Sequence, residues 1–209
     1  MRIPLPVHEP ALERPLGLIL AGGLSRRMGG GDKALRSLAG QPMLAHISAR
    51  LAPQVAGLVL SANGDPARFA PFGLLVLPDD TADHPGPLAG ILAGLDHAAA
   101  HGHHWLVSVP ADAPFLPSDL VARLQQARQS DQACMAIAAS AGRSHPVIGL
   151  WPVTMRDRLR AALQAGQRRV TALTGDAAIA TWADTPIDPF LNINTPADLA
   201  AAEALVPTQ

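Results

Sequence analysis

Short apolar runs alternate with amphipathic stretches along most of the chain. Residues 16–21 (LGLILA) form a continuous apolar run that ends in glycines, the pattern of a buried strand. Residues 55–60, 74–77, 105–109, 133–138 and 146–151 read the same way, and residues 187–193 carry a last short strand. Between them lie helical patterns. Residues 42–51 put Leu44, Ile47, Ser48 and Leu51 on one face. Residues 87–100 open with Pro87 in the first turn, residues 117–128 continue the series, and residues 154–165 end at Gly166. Thr195-Pro196-Ala197-Asp198 opens a final helix to about Leu205. Strands alternating with helices imply parallel pairing in an open sheet covered on both faces. Ligands of such sheets sit beyond the carboxyl ends of the strands. The chemistry is therefore expected in the segments just after the strands.

Composition narrows the class. The chain has 209 residues, 48% hydrophobic and 16% charged, enough to bury one large core. Residues 1–15, rich in proline, read as a flexible leader and residues 16–209 as a single domain. The leader lacks a continuous apolar core, so it does not read as a signal peptide, and a cytoplasmic protein is expected. A net charge of −1 argues against a general nucleic-acid or membrane-surface binder. One cysteine, Cys134, excludes an intramolecular disulfide and nearly excludes a cysteine-based zinc site; its apolar surroundings read as a buried strand position. The run His101-Gly102-His103-His104 has spacing unlike a zinc site and reads as a helix terminus. Trp105, Trp151 and Trp182 read as packing residues. Of 16 basic residues only one, Lys33, is lysine.

That lysine closes the most informative segment, Gly22-Gly23-Leu24-Ser25-Arg26-Arg27-Met28-Gly29-Gly30-Gly31-Asp32-Lys33, directly after the first strand. Glycines let backbone N–H groups approach an anion, and arginine and lysine neutralise phosphate charge. A triphosphate suits such a loop. The triphosphatase loop G-x-x-x-x-G-K-[ST] does not fit, because Lys33 follows Asp32 and precedes Ala34. The dinucleotide fingerprint is not met either, because Ala34 stands where its last glycine belongs. After the fourth strand comes Pro110-Ala111-Asp112-Ala113-Pro114. A lone carboxylate at a strand end suits Mg²⁺, which takes one or two carboxylates plus phosphate oxygens and water; a helix cap is the plain alternative. Asp119 reads as a cap or first-turn residue of the next helix.

The string from Leu20 to Lys33 resembles the signature L-x-G-G-x-x-x-R-M-G-x-x-K of nucleotidyltransferases. Together with Pro85-Gly86-Pro87-Leu88-Ala89-Gly90, His145-Pro146, Gly166-Gln167-Arg168-Arg169-Val170 and Asn192-Ile193-Asn194-Thr195-Pro196, it resembles the molybdenum cofactor guanylyltransferases, the MobA-like branch, over residues 16 to about 205. The resemblance implies a three-layer α/β/α Rossmann-like nucleotidyltransferase fold with a mostly parallel sheet. It implies Mg²⁺ as cofactor, GTP and molybdopterin as substrates, and molybdenum-insertion proteins and molybdoenzyme chaperones as further partners. The implied catalytic residues are Arg27 (Arg26 being its neighbour), Lys33 and Asp112, with Asp112 the metal ligand. Leu20, Ala21, Gly22, Gly23, Lys33, Ser61, Asp79 and Asp112 are implied in nucleotide binding. Ser61 stands where the family carries asparagine, and its reach is shorter. Asn63 and Asp79-Asp80 also read as turn residues, and Asp83 as a cap or turn. His145, Arg168, Arg169, Asn192 and Asn194 are implied in molybdopterin binding. Each has a local alternative: a structural histidine, a solvated helix start, and a helix N-terminus capped by Thr195.

No serine or cysteine nucleophile with an ordered base is evident. A phosphate monoester, with a second pKa of about 6, is already ionised at neutral pH and needs no general base. Positioning and charge neutralisation suffice. The rivals are a cytidylyltransferase on molybdopterin, a nucleotidyltransferase on a sugar phosphate, and a non-catalytic carrier of nucleotide or molybdopterin.

Overall fold

A computed structural model of the chain describes residues 13–22, 32–78 and 86–206. Its main sheet has seven strands: β1 (Leu16–Leu20), β4 (Gly57–Ser61), β5 (Leu75–Leu77), β6 (Trp105–Pro110), β7 (Ala136–Ser140), β8 (Arg143–Pro152) and β9 (Ala178–Thr181). A separate two-residue hairpin pairs β2 (Ser37–Leu38) with β3 (Gln41–Pro42). The order is β5-β4-β1-β6-β8-β7-β9, and all strands run parallel except β8, which is antiparallel to both neighbours. After β1 the chain extends the sheet on one side through β4 and β5, then returns to place β6 on the other side of β1. The carboxyl end of β1 is thus the switch point at which open sheets bind ligands.

Alternation along the strands feeds two separate cores. Ile19, Val107, Val109, Ala136 and Ala138 face one side, against α1 (Met43–Leu51) and α3 (Leu120–Ser130). Leu16, Leu18, Leu106, Ile137 and Trp151 face the other, against α2 (Pro87–Ala100) and α4 (Arg156–Gln164). This gives the expected three-layer α/β/α arrangement. A third, small cluster of Leu38, Met43, Ile193 and Ala202 fixes α5 (Pro196–Glu203) near the β2–β3 hairpin.

Helix α2 lies unusually close to the sheet. A Cβ on Gly90 would stand 2.5 Å from the Ser61 hydroxyl and 2.6 Å from a Leu20 methyl; one on Gly94 would stand 2.8 Å from a Leu18 methyl. Overpacking of this kind costs about 1–3 kcal/mol, against about 0.5–1 kcal/mol that alanine returns in helix propensity. Gly90→Ala is therefore expected to lower stability by about 1–2 kcal/mol in urea unfolding. An unchanged midpoint would show that α2 yields freely.

Several sequence expectations are corrected. Residues 187–193 form no strand: Asp188 accepts the Phe190 N–H through its side chain at 3.0 Å and the Leu191 N–H through its carbonyl at 3.1 Å, turning the chain after Pro189. The last strand is β9 instead, whose inward residues are only alanines. Cys134 is exposed, not buried. The chain leaves α3 through a turn in which Ala133 N–H reaches back to the Arg128 carbonyl, and β7 starts only at Ala136. Asp119 occupies the position before α3 but does not cap it; its carboxylate accepts the Trp182 indole N–H at 2.9 Å. At the other end, Thr195 and Asp198 form a reciprocal capping box for α5. The N–H of Asn194 and then the Thr195 hydroxyl hold the Asp198 carboxyl below its ordinary value. Residues 13–15 are bonded to the rest: Glu13 O accepts from the Gln125 amide at 2.8 Å and Pro15 O from Ala56 N–H at 2.9 Å. No helix among the described residues is long and apolar enough to cross a membrane.

Candidate active site

The carboxyl ends of β1, β4 and β6 open into a cleft of about 550 Å³. The end of β1 is pinned from both sides. Ala21 N–H donates to Ser61 O at 2.8 Å, and Leu20 O accepts from Ala111 N–H at 3.0 Å. The Ala21 amide is therefore used within the sheet. Leu20, Gly22, Ser61 and Asn63 line the cleft at this end. The N-terminus of α2 lines it too: Gly86 and Pro87 contribute, and Gly86 takes φ of +154°, a conformation open mainly to glycine. Among the described residues no side chain caps that helix end, and a helix N-terminus of this kind favours an incoming anion.

Three segments distant in sequence meet at the mouth. Lys33 Nζ donates to Asp112 Oδ2 at 2.6 Å and also to Asn194 Oδ1. Both Lys33 and Asp112 are mostly buried, with side chains 15% and 22% exposed, so their charges act in a medium less polar than water. The placement of Asn194 follows from the α5 capping box and from Ile193 N–H, which donates to Asp112 O at 2.9 Å. Asn192 lines the cleft with a buried Oδ1 that has no hydrogen-bond partner among the described residues. A buried orphan acceptor costs about 1–3 kcal/mol unless something fills it, so this oxygen is set for a donor or cation.

On the β4 side, Arg68 joins two loops. Its guanidinium donates to the Asp32 carboxylate, to Asp65 O, and at 2.5 Å to Asn63 O, and stacks 4.5 Å above the Phe69 ring. Asp32 adjoins Lys33, so Arg68 ties the end of the glycine-rich segment to the loop that carries Asn63.

The far wall comes from β8. Between Ile137↔Gly149 and Ala138↔His145 the β7–β8 register jumps, which leaves Pro146, Val147 and Ile148 as a bulge. Ser108 anchors it by donating to Val147 O at 2.6 Å while accepting the Trp151 indole N–H at 2.8 Å. The bulge and its flank, with Arg143, Ser144 and His145, line the cleft. Burial lowers the His145 pKa first, Arg143 lowers it further, and Asp188 opposes them. His97 is also held low, by burial and by His101 and His103.

These two shifts set a pH dependence. A histidine whose folded pKa is depressed contributes stability that is present above the unfolded value, 6.5, and is lost as pH falls through the folded one. The melting temperature is expected to be lower at pH about 5.5 than at about 7.5, and His145→Gln to shrink that difference. An identical drop in wild type and variant would count against a held-neutral His145.

Of the expected site residues, Leu20, Gly22, Ser61, Asp112, His145 and Asn192 line one cleft, with Lys33 and Asn194 bonded at its mouth. Arg168 and Arg169 do not line it. They are exposed beyond α4, with Arg168 donating to the Leu163 and Gln167 carbonyls. Gly23, Arg26, Arg27, Asp79, Asp80 and Asp83 lie outside the described residues. Sequence reasoning passed over Arg143 and Arg68.

Residues 17–198 match the family model of the MobA-like NTP transferase domain. A molybdenum cofactor guanylyltransferase from Rhodopseudomonas palustris (strain BisB5) is 58% identical over 193 residues, covering 90% of this chain and 92% of that protein. The chain belongs to the molybdenum cofactor guanylyltransferase family. A second member, from Bradyrhizobium sp. (strain ORS 278), is 57% identical over 194 residues, covering 90% and 92% of the two chains. Among solved structures, molybdopterin-guanine dinucleotide biosynthesis protein A from Archaeoglobus fulgidus superposes with a TM-score of 0.71 at 22% identity, covering 91% of this chain and 97% of that one. At that identity the superposition speaks for the fold alone. The CMP:2-keto-3-deoxy-manno-octonic acid synthetase complexed with CTP shares it, with a TM-score of 0.68.

Proposed function

We propose that this guanylyltransferase binds GTP in the β1–β4–β6 cleft and transfers GMP to the terminal phosphate of molybdenum-loaded molybdopterin. A phosphate oxygen of the acceptor bonds to the α-phosphorus of GTP, the α–β bridging bond breaks, and pyrophosphate leaves with that bond's electron pair. The observation that carries this reading is the meeting of Lys33, Asp112 and Asn194 at the cleft mouth beside the N-terminus of α2. Reacting phosphates need gathered positive charge and fixed dipoles, and little else.

The nucleotide lies along the β1 end beside Gly22, Ser61 and Asn63, with Lys33 toward the phosphates. Gly23, Arg27 and Asp79, which lie outside the described residues, keep the nucleotide-binding and catalytic roles that the sequence motifs imply for them. Molybdopterin lies toward His145, Asn192 and Asn194; Arg168 and Arg169, away from the cleft, serve it only through longer-range charge. The donor set fits Mg²⁺. Asp112 Oδ2 already holds a cation, the Lys33 ammonium, and Asn192 Oδ1 is an unpartnered hard oxygen in the same cleft. Asp112 would hold the ion together with phosphate oxygens, and the ion would supply neutralising charge to the triphosphate. The rest is done by the chain itself: Lys33 screens the incoming acceptor phosphate, and Asn194 fixes the Lys33 ammonium. The setting is cytoplasmic.

The test is pyrophosphate release with molybdenum-loaded molybdopterin and Mg²⁺, comparing GTP, CTP and ATP. Release with GTP alone is expected. Release with CTP would overturn the base assignment, and binding of GTP without release would favour a carrier.

A further inference from the structure

Beyond the cleft wall, His145 is tied to two residues that the reaction does not use. Its Nε2 lies 2.8 Å from Ser140 Oγ, and Ser140 Oγ donates to Asp188 Oδ1 at 2.7 Å. Asp188 Oδ1 also accepts the Phe190 N–H at 3.0 Å. A hydroxyl has one proton. Ser140 gives it to the carboxylate, so the hydrogen between Ser140 and His145 belongs to the imidazole. Ser140 is fully buried at the end of β7, which leaves it no exchange with water. The His145 ring also packs against Phe190 at 5.1 Å between centroids, and Trp182 meets Phe190 edge-on at 5.2 Å. The ring is thus fixed by the bulge, by the relay and by an aromatic neighbour.

We propose that Ser140 and Asp188 are positioning residues that hold His145 as the Nε2–H tautomer, leaving Nδ1 as a fixed acceptor for an N–H or O–H donor of the second substrate. This rests on the proposed function of the cleft. A neutral imidazole presents one donor and one acceptor, and which nitrogen is which depends on the partner of the other. With Nε2–H directed at Ser140, the ring has no N–H to offer a ligand. It therefore selects a ligand edge rich in donors, as the amino and ring N–H edge of a pterin is, over a purely anionic or carbonyl edge.

The experiment uses the full chain labelled with ¹⁵N-histidine. Free protein at neutral pH should show a pyrrole-type signal at His145 Nε2 and a pyridine-type signal at Nδ1, and unsubstituted pterin should shift the Nδ1 signal. In Asp188→Ala the freed hydroxyl turns its proton toward Nε2, so Nδ1–H should appear. The KM for molybdopterin should rise about tenfold, the size of one well-placed hydrogen bond, with KM for GTP unchanged. Asp188→Asn keeps an oxygen for both donors and should restore tautomer and KM. Ser140→Ala leaves the Asp188–Phe190 bond alone and should raise the same KM. A pyrrole-type Nδ1 in the wild type would overturn the proposal, and so would a tautomer reversal that leaves molybdopterin KM unchanged. The tautomer and the pterin shift are read without turnover. Failure of GMP transfer alone would therefore strike the functional reading and leave the relay standing.

Discussion

Lys33→Ala is expected to lower GMP transfer about 10²–10³-fold, the scale of removing one preorganised group that stabilises charge in a transition state. The reason is geometric. The ammonium sits 2.6 Å from Asp112 Oδ2 and is held from a second side by Asn194, so it reaches the phosphates with little reorganisation. Lys33 is also the only lysine in the chain, so no neighbouring lysine substitutes. The fold should survive. A partly exposed ion pair contributes about 1 kcal/mol, which moves the melting temperature of a chain this size by about 2–4 °C. Steady-state kinetics and thermal melting on the same preparation separate the two effects. Turnover within a few-fold of wild type would remove Lys33 from the reaction.

Asp112→Asn is expected to cost a similar factor, about 10²–10³, for a different reason. Asparagine keeps the shape and an oxygen that Lys33 can still reach, but it removes the negative charge. A divalent cation then loses its one anionic protein ligand among the described cleft-lining residues. The variant should need far more Mg²⁺ for half-maximal rate, while Lys33→Ala should need no more than wild type. That opposite response, read from Mg²⁺ titrations of both variants, separates a residue that holds the ion from one that faces the phosphates. Equal Mg²⁺ requirements in wild type and Asp112→Asn would place the ion elsewhere.

Much of the fold was legible because period and burial agree. The runs at β1, β4 and β6 are apolar on both faces, as strands covered by two helical layers must be. The sheet's far half was less legible, for local reasons. Residues 133–138 and 146–151 have no helix between them. They form a hairpin on a tight turn at Ala141-Gly142, both with positive φ, and β8 runs antiparallel. The same Ala-Gly turn, at residues 39 and 40, makes the small β2–β3 hairpin, also unread. Strand β9 escaped because its buried positions are Ala178 and Ala180, while its one large side chain, Ile179, points outward. In the site, Lys33 and Asp112 were legible from loop chemistry. Their contact with each other and with Asn194 was not, because only tertiary packing of α5 brings residue 194 to that mouth. Asp188 reads as part of a strand, and a side-chain turn instead directs it toward Ser140.

The most direct test of the central claim tracks the α-phosphorus. With GTP labelled separately at the α- and γ-phosphates, molybdenum-loaded molybdopterin and Mg²⁺, the α-label should move into a pterin–guanine dinucleotide and the γ-label into pyrophosphate. Both transfers should fall together in Asp112→Asn. An α-label that remains in GTP or appears only as free GMP, or a γ-label on the pterin, would contradict GMP transfer at this cleft.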